Sequence, residues 1–597
     1  MGFIRKIKKT LTIGRLYGFG GLRGLFWVKL LRWREDSVYR RWIVKFDTLD
    51  ETRRNSIRAE IQSFSKQPLI SVILPVYDVD DVWLRKCIES VQNQLYENWE
   101  LCIADDCSPS PHIRATLEEY RQAESRIKVV HREENGHISA ASNSALELTT
   151  GEFCVLLDHD DELNEQALFY VAKENNEYPS SKMIYSDEDL IDTEGRRYGP
   201  KFKPDWSRDL FYSANLITHL SCYETALLKR IGGFRVGMEG SQDYDLALRV
   251  IEEIDDFQIR HIPKVLYHWR VIETSVAASG DAKPYAHQAA RDAIGAHLER
   301  TGKSAKVSET VHRLHRVRYD IPEPAPKVSI VVRANLEPQE NEEYLKSLIS
   351  NTQYIPKEVI VVGKGTGPGK SDATEAYFRS KMGWDCDVSF VKASDQRSAQ
   401  IYNIGSENAS GEIVCFLNAG LRPIGIDWLA ELVSFAIQQE VGAVAGKSVL
   451  TDGTIADGGL LIGVGGTVSV SHRGWPDMAD GNITRLKLIG NYSAVSVSGM
   501  AVRKKLFDKV GGFDSKHFPN DYFDADFCLR LREKGYRIVW TPHAELLRTQ
   551  TKEARPQNEQ SQEALFFEKK WRSVVDRDPF YNPNLRKDKG DFRIDLG

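Results

Sequence analysis

The chain lacks the cysteine spacing of a zinc site or a disulfide scaffold. Its eight cysteines are scattered over 597 residues without a CxxC pair. Several, such as Cys102, Cys154 and Cys415, sit inside apolar strand-like runs, as reduced core thiols do. An uninterrupted apolar run of about 18 residues is also missing, so no membrane-spanning helix is expected. The run GGLLIGVGGTVSV at 458–470 is broken by glycines and reads as strand and turn. Charge of one sign is missing too: 80 Lys and Arg stand against 85 Asp and Glu, a net charge of −5. The whole molecule is therefore not built to bind a polyanion, and nucleic acid is not an expected partner. With 41% apolar and 28% charged residues, the composition is ordinary for globular domains, and the length allows two to four of them.

One stretch has no acid at all. Met1 to Arg34 carries nine lysines and arginines interleaved with Phe3, Leu11, Phe19, Leu25, Trp27 and Trp33. This is the composition of a basic amphipathic helical arm lying in the headgroup layer of an anionic membrane. Charges interrupt its apolar stretch and no small-x-small cleavage site follows, so it does not read as a signal peptide. The competing reading is an arm packed on the body with its charges in water.

Internal repetition organises the rest. LISVILPVY at 69–77 and KVSIVVRAN at 327–335 each open a segment. SNSALELTTGEFCVLLDHDD at 142–161 matches YNIGSENASGEIVCFLNAGL at 402–421 without a gap, and RIGGFRVGMEGSQDYDLALRV at 230–250 matches KVGGFDSKHFPNDYFDADFCLRL at 509–531. Two copies of one α/β domain are expected, at 68–300 and 326–575. The arm occupies 1–67 and a tail occupies 576–597. Between the copies, 301–325 ends in a proline-rich run that reads as a stiff extended connector. Strand-like runs alternate with helical patterns, which calls for βαβ crossovers and a mostly parallel sheet. Ligands of such sheets sit beyond the carboxyl ends of the strands.

In the first copy the strand ends are rich in acids. EFCVLL runs into Asp158, His159, Asp160 and Asp161. Three carboxylates there repel one another and are desolvated unless a cation holds them, and a hard divalent ion prefers such oxygen ligands. A solvated turn, or Asp161 as a helix N-cap, is the bland alternative. Asp105 and Asp106 follow ELCIA, where an Asp either accepts from a nucleobase or forms an Asx turn with Ser108. The run from Asn135 through Ser139 to Asn143 puts small residues at a helix start, where backbone can approach a diphosphate, or where small side chains merely pack. Asp243 opens a further helix, as an N-terminal acid or as a general base. His268, in YHWR, is either structural or a metal ligand.

Together these residues resemble glycosyltransferase family 2 on a GT-A fold; the resemblance covers both repeats, and in the first copy the motifs stand in family order. PVYD is similar to the family's PVYN, ADDCS to DDGS, NGHISAASN to its small-residue stretch, DHDDEL to the DxD region and QDYDL to the ED motif, with Gln242 in place of Glu. SDEDLID at 186–192 and FKPDWS at 202–207 resemble polysaccharide-building, rhamnosyl-type members. The resemblance implies an α/β protein of two tandem GT-A domains with Rossmann-like, mostly parallel sheets. It implies an inverting transfer from a nucleoside diphosphate sugar to a glycan or lipid-linked glycan acceptor, at the inner face of the cell membrane. Asp106, helped by Asp105, would hold the base, with Pro75, Val76 and Tyr77 along the nucleoside. Asn135 and Ser139 would face the diphosphate and Asp158 the ribose or sugar. Asp160 and His268 would hold Mn²⁺ or Mg²⁺, and Asp243 would deprotonate the acceptor. The QxxRW motif of processive synthases is not seen.

In the second copy the acids disappear together. Asp105 and Asp106 become Gly363 and Lys364, and Asp158, Asp160 and Asp161 become Asn418, Gly420 and Leu421; His268 becomes Leu547. Only Asp243 and Asp245 have counterparts, Asp524 and Asp526. The second copy is expected to be degenerate, serving as scaffold, acceptor platform or the surface of a homo-oligomer. A scaffold with both copies inert, or a bifunctional enzyme, are the alternatives. A nucleotidyltransferase is disfavoured because no glycine-rich basic loop follows the first strand.

Overall fold

A computed structural model of the chain describes residues 36–272, 284–334, 338–363, 386–395, 397–549 and 560–597. The basic arm up to residue 35 lies outside the described residues. Among those described, no helix is long and apolar enough to cross a membrane.

The first unit is built on strands β1 (Ile70–Val76), β2 (Trp99–Asp105), β3 (Ile127–His131), β4 (Phe153–Leu156), β5 (Glu162–Leu163), β6 (Met183–Ile191), β7 (Arg197–Lys201), β8 (Ser221–Glu224) and β9 (Ile259–Arg270). They pair in the order β3-β2-β1-β4-β8-β6-β9-β5, with β7 beside β6. Strands β1 to β4 are parallel to one another, and their residues read as continuous apolar runs because helices cover both faces. Strand β8 then joins antiparallel to β4 and β6.

The connector is a hairpin, β10 (Ala305–Glu309) with β11 (His315–Tyr319), rather than a plain extended linker. Only its proline-rich end after Tyr319 leaves the ladder. The second unit follows with β12 (Val328–Arg333), β13 (Lys357–Gly363), β14 (Asp387–Lys392), β15 (Ile413–Asn418), β16 (Leu421–Pro423), β17 (Val441–Leu450), β18 (Ile455–Asp457), β19 (Leu460–Ile462), β20 (Val468–Val470), β21 (Gly490–Asn491), β22 (Met500–Arg503) and β23 (Arg537–Arg548). Its main order, β14-β13-β12-β15-β22-β17-β23-β16, repeats the first sheet strand for strand. The glycine-broken run forms the β19–β20 hairpin.

The repeat extends to individual hydrogen bonds. Ser71 Oγ donates to Glu100 at 2.6 Å and accepts from Gly151 N at 3.0 Å; Ser329 Oγ does the same with Glu358 at 2.5 Å and Gly411 N at 2.8 Å. Asn143 clamps the backbone of Phe234, and Asn403 that of Phe513. Arg249 ties Asp245 to the carbonyls of Ile231 and Gly233, and Arg530 ties Asp526 to those of Val510 and Gly512.

The units are joined by buried polar contacts. Asn491 Nδ2 donates to Asp209 at 2.6 Å, Asp209 N returns to Asn491 Oδ1 at 3.0 Å, and Arg537 reaches the same carboxylate at 3.1 Å. The tail is part of the fold rather than an appendage: Asn582 donates to Asp187 at 2.9 Å, and Phe580, Tyr581, Leu585 and Phe592 are buried.

Candidate active site

A cavity of about 1290 Å³ opens beyond the carboxyl ends of β1, β2 and β4. Pro75, Val76 and Tyr77 line it from the end of β1, Asp106 from beyond β2, and Asp158 and Asp160 from beyond β4; Asn135 and Asp243 line it from two helix starts. Residues distant in sequence converge here because parallel strands end on one edge.

Asp106 is buried, and its Oδ1 accepts from Arg132 Nε at 2.8 Å and from Gly136 N at 2.9 Å. Position 136 requires glycine by close approach, since a Cβ there would stand 2.6 Å from Arg132 Nη2 and 2.7 Å from the Ala140 Cβ. Asp105 faces away from the cavity. It accepts from Ser108 N at 3.0 Å, an Asx turn, and meets His131 Nδ1 at 2.9 Å. Ser139 is fully buried and does not reach the cavity wall.

The metal assignment changes. His268 Nδ1 lies 2.7 Å from Asp189 Oδ1, in a buried cluster where Arg197 and Tyr39 each hold Asp189 at 2.6 Å. It is not brought to Asp160. The reason is strand alternation: on β9 the preceding residue, Tyr267, donates to Asp161 at 2.6 Å, so His268 points to the other face. Among the described residues, ligand atoms of Asp158, Asp161 and His219 all lie within 4.8 Å of one another. His219 stacks on Tyr267, with ring centroids 4.3 Å apart. Burial pushes its imidazole down to about 4, so it is neutral near pH 7. Asp161 caps no helix. It is buried, accepts from Arg270 N at 2.7 Å, and is raised well above the usual carboxylate range by burial and then by Asp160 and Asp158.

The SDEDLID segment is β6 itself, and its acids position this wall. Glu188 takes Lys201 at 2.6 Å, Lys203 at 3.0 Å, the Thr218 hydroxyl at 2.6 Å and His219 N at 3.1 Å. Burial opposes its charge, but the two lysines hold it well below the ordinary value. Lys201 and Lys203 both line the cavity, each paired with Glu188. His219 stands at no motif spacing: the antiparallel pairing of β8 with β4 carries it to the Asp158 end of that strand, while the pairing of β7 with β6 brings in Lys201.

Asp243 Oδ2 accepts from Asn215 Nδ2 at 2.8 Å. Burial raises its pKa above the ordinary 3.8, against the lowering by its backbone hydrogen bonds and by Asn215.

Residues 71–230, which contain most of this wall, match the family model for glycosyl transferase family 2. Over those residues the chain is similar to glycosyl transferase family 2. It is 40% identical over 541 residues to an uncharacterized protein, y4gI, of Sinorhizobium fredii, an alignment covering 89% of this chain and 59% of that one. It is 32% identical over 552 residues to the O-antigen biosynthesis protein RfbC of Myxococcus xanthus, covering 90% of this chain and 42% of that one. The chain thus spans about half the length of these relatives. Among solved structures, Staphylococcus aureus TarS 1–349 in complex with UDP-GlcNAc aligns at 21% identity with a TM-score of 0.33, over 38% of this chain and 66% of that one.

The second unit differs from the first at the same strand ends. Its β12–β13 and β16–β23 registers place Gly363 at the position of Asp105 and Leu547 at that of His268. Ser142, on the cavity wall, is matched by Tyr402. That ring is fully buried against Phe416, Phe513 and Phe523, and its hydroxyl meets Asn418, which stands where Asp158 does.

Proposed function

We propose that the first unit, about residues 68–300, is an inverting, metal-dependent glycosyltransferase. It would move a sugar from a nucleoside diphosphate sugar to a hydroxyl of a surface polysaccharide or lipid-linked glycan. One observation carries this reading: a single cavity gathers Tyr77, Asp106, Asn135, Asp158 and Asp160 on one side and Asp243 on another. The family match over 71–230 supports the reaction class. The names of relatives, O-antigen biosynthesis protein RfbC and a putative colanic acid glycosyl transferase WcaA of Escherichia coli, support the acceptor class.

The residues fit a divalent ion. Two carboxylates and a neutral imidazole are a donor set that Mn²⁺ or Mg²⁺ accepts, and the crowding that raises Asp161 is what a cation relieves. Asp158, Asp161 and His219 would hold it, with Asp160 alongside. When bound, such an ion neutralises the charge of a departing diphosphate. Asp106 and Asn135 would fix the base and ribose, and Tyr77, 46% exposed at the mouth, would pack on the nucleoside. Asp243 would take the acceptor's proton as its oxygen forms the bond to the anomeric carbon. A carboxylate with a raised pKa is the better base for this.

The second unit, about residues 326–575, is read as a degenerate copy, because Tyr402 fills the place of the donor cleft. The basic arm is read as a peripheral membrane contact.

The test is release of nucleoside diphosphate from a panel of UDP-, dTDP- and GDP-sugars with Mn²⁺ or Mg²⁺. Release from one donor, lost in Asp158→Asn and in Asp160→Asn, is expected. Metal-independent release, or release that survives both substitutions, would refute the site.

A further inference from the structure

The cavity is larger than one ligand needs, since pockets for single small molecules run to about 1,000 Å³. Its walls also come from more than one unit. Leu314 and His315 of the connector and Ile483, Thr484 and Leu488 of the second unit line it together with the transferase domain. This wall stands on the Asp243 side: the His315 ring lies 6.2 Å from that of Tyr244, the residue after Asp243.

The two ends of the cavity differ in chemistry. At one end are Asp158, Asp160, Lys201 and Lys203, suited to a metal and a diphosphate. The connector and second-unit wall carries no ionised side chain. Its one titratable group, His315, is kept neutral by burial, pushed down to about 4. His315 is only 4% exposed, and its Nδ1 has no hydrogen-bond partner among the described residues. A buried polar atom without a partner costs roughly 1–3 kcal/mol and marks a place where something else completes the bonding.

The backbone of the wall is strained in the same place. Ile483 and Thr484 have φ of 43° and 65°, and His312 and Arg313 beside them in the connector have 54° and 60°. For β-branched residues the left-handed region is a genuine outlier, and such strain persists where surrounding structure over-determines it, which is typical of ligand clamps. The surroundings are rigid here: Asn491, Asp209 and Arg537 lock the second unit to the first through buried bonds.

We propose that this wall, with Ile483, Thr484 and His315 at its centre, is the acceptor subsite, so that the second unit selects the glycan on which the first unit acts. The proposal rests on the transferase reading of the first unit. It gives the degenerate copy a role: it closes the reaction chamber on the side from which the attacking hydroxyl arrives.

The test uses the full chain and a panel of p-nitrophenyl and octyl glycosides of common hexoses and 6-deoxyhexoses, with binding followed by ligand-observed NMR. Ile483→Asn removes the apolar contact with a residue that tolerates the left-handed region, and Thr484→Tyr fills the space. At least one glycoside is expected to bind the wild type, and to lose about tenfold or more in affinity in both variants. Mn²⁺-dependent binding of the nucleoside diphosphate should move by less than about twofold, which also shows that the variants fold. Equal glycoside affinity in wild type and variants overturns the proposal. So does a wild type that binds none of the panel at ~10 mM. Failure of the transferase reading is separate: the wild type would then bind no nucleoside diphosphate with metal.

Discussion

The hydrogen bond from Asn215 to Asp243 gives a quantitative handle on the general base. At 2.8 Å to Oδ2 it stabilises the carboxylate form and so holds down a pKa that burial raises. A hydrogen bond to a charged group contributes roughly 1.5–3 kcal/mol, and each pKa unit corresponds to about 1.4 kcal/mol. The lower end of that range corresponds to about one unit. The base must be deprotonated to act. Activity is therefore lost as pH falls through the raised pKa of Asp243, and removing the donor moves that acid limb upward. Asn215→Ala is expected to shift it by about one pH unit. Asn215→Asp should shift it further, because a second carboxylate in the same place disfavours two charges and the pair then titrates together. The contacts of Asn215 Oδ1 with the backbone N–H groups of Ile217 and Thr218, both 3.3 Å, are long, and Asp retains an acceptor for them. The assay is kcat/KM for nucleoside diphosphate release against pH on the preferred donor. An acid limb that stays in place in both variants would remove Asp243 as the base.

The two histidines should separate cleanly. His219→Gln is expected to weaken Mn²⁺-dependent nucleotide binding at least as much as the roughly 10–100-fold that changes behind a metal ligand cause. His268→Ala should leave that binding intact and lower the free energy of unfolding by about 3 kcal/mol, because it breaks a buried pair with Asp189. Ser142→Tyr, which copies Tyr402 into the first unit, should abolish nucleotide binding in a folded protein; Tyr402→Ser should open a void costing about 3–5 kcal/mol, read by chemical denaturation. Glu100 is held down to about 2: burial opposes its charge, but Lys128, Ser71 and Thr150 outweigh it. Its stabilisation is present above its ordinary 4.5 and fades as pH falls toward 2, so Glu100→Gln should cost up to about 3 kcal/mol at pH 7 and much less at pH 2.5. A cost that does not change with pH would refute the ion-pair account.

The tandem fold was legible because the gapless match of 142–161 to 402–421 carries both a helix and the strand after it, and those become equivalent elements of two sheets with one strand order. The strand-end acids were legible for the same reason, except that adjacent Asp105 and Asp106 could not be told apart; the Asx turn takes the first and leaves the second on the cavity. His268 as a metal ligand rested on the family resemblance of YHWR, although period-two alternation along β9 places it on the face opposite Tyr267. His219 carried no local signal. It reaches the acids because β8 pairs antiparallel with β4, a contact between residues far apart in the chain. The hairpin in the connector was masked by the prolines that follow it, and the tail by its polar composition, although Asn582 spends that polarity on the buried Asp187.

Comparing the two copies within one chain separates scaffold from chemistry. The Ser–Glu–Gly bracket, the Asn clamp and the Asp–Arg tie occur in both, each satisfying buried backbone groups that any sheet of this order must satisfy. Asp245 and Asp526 belong to this set, so their recurrence says nothing about reaction. Asp243 and Asp524 look equally alike in sequence, yet their surroundings part them. Asp524 is buried with its oxygens committed to Val497 N at 3.0 Å and Ala525 N at 2.8 Å. Asp243 also accepts from the backbone, but it lies on the wall of an open cavity and its Oδ2 bonds a side chain, Asn215. A buried acid with both oxygens on backbone is architecture, and an acid on a cavity wall with a raised pKa is placed for proton transfer. By that criterion the first unit is the proposed seat of the chemistry, and the residues of the second unit that line the shared cavity are where the proposed acceptor contact is tested.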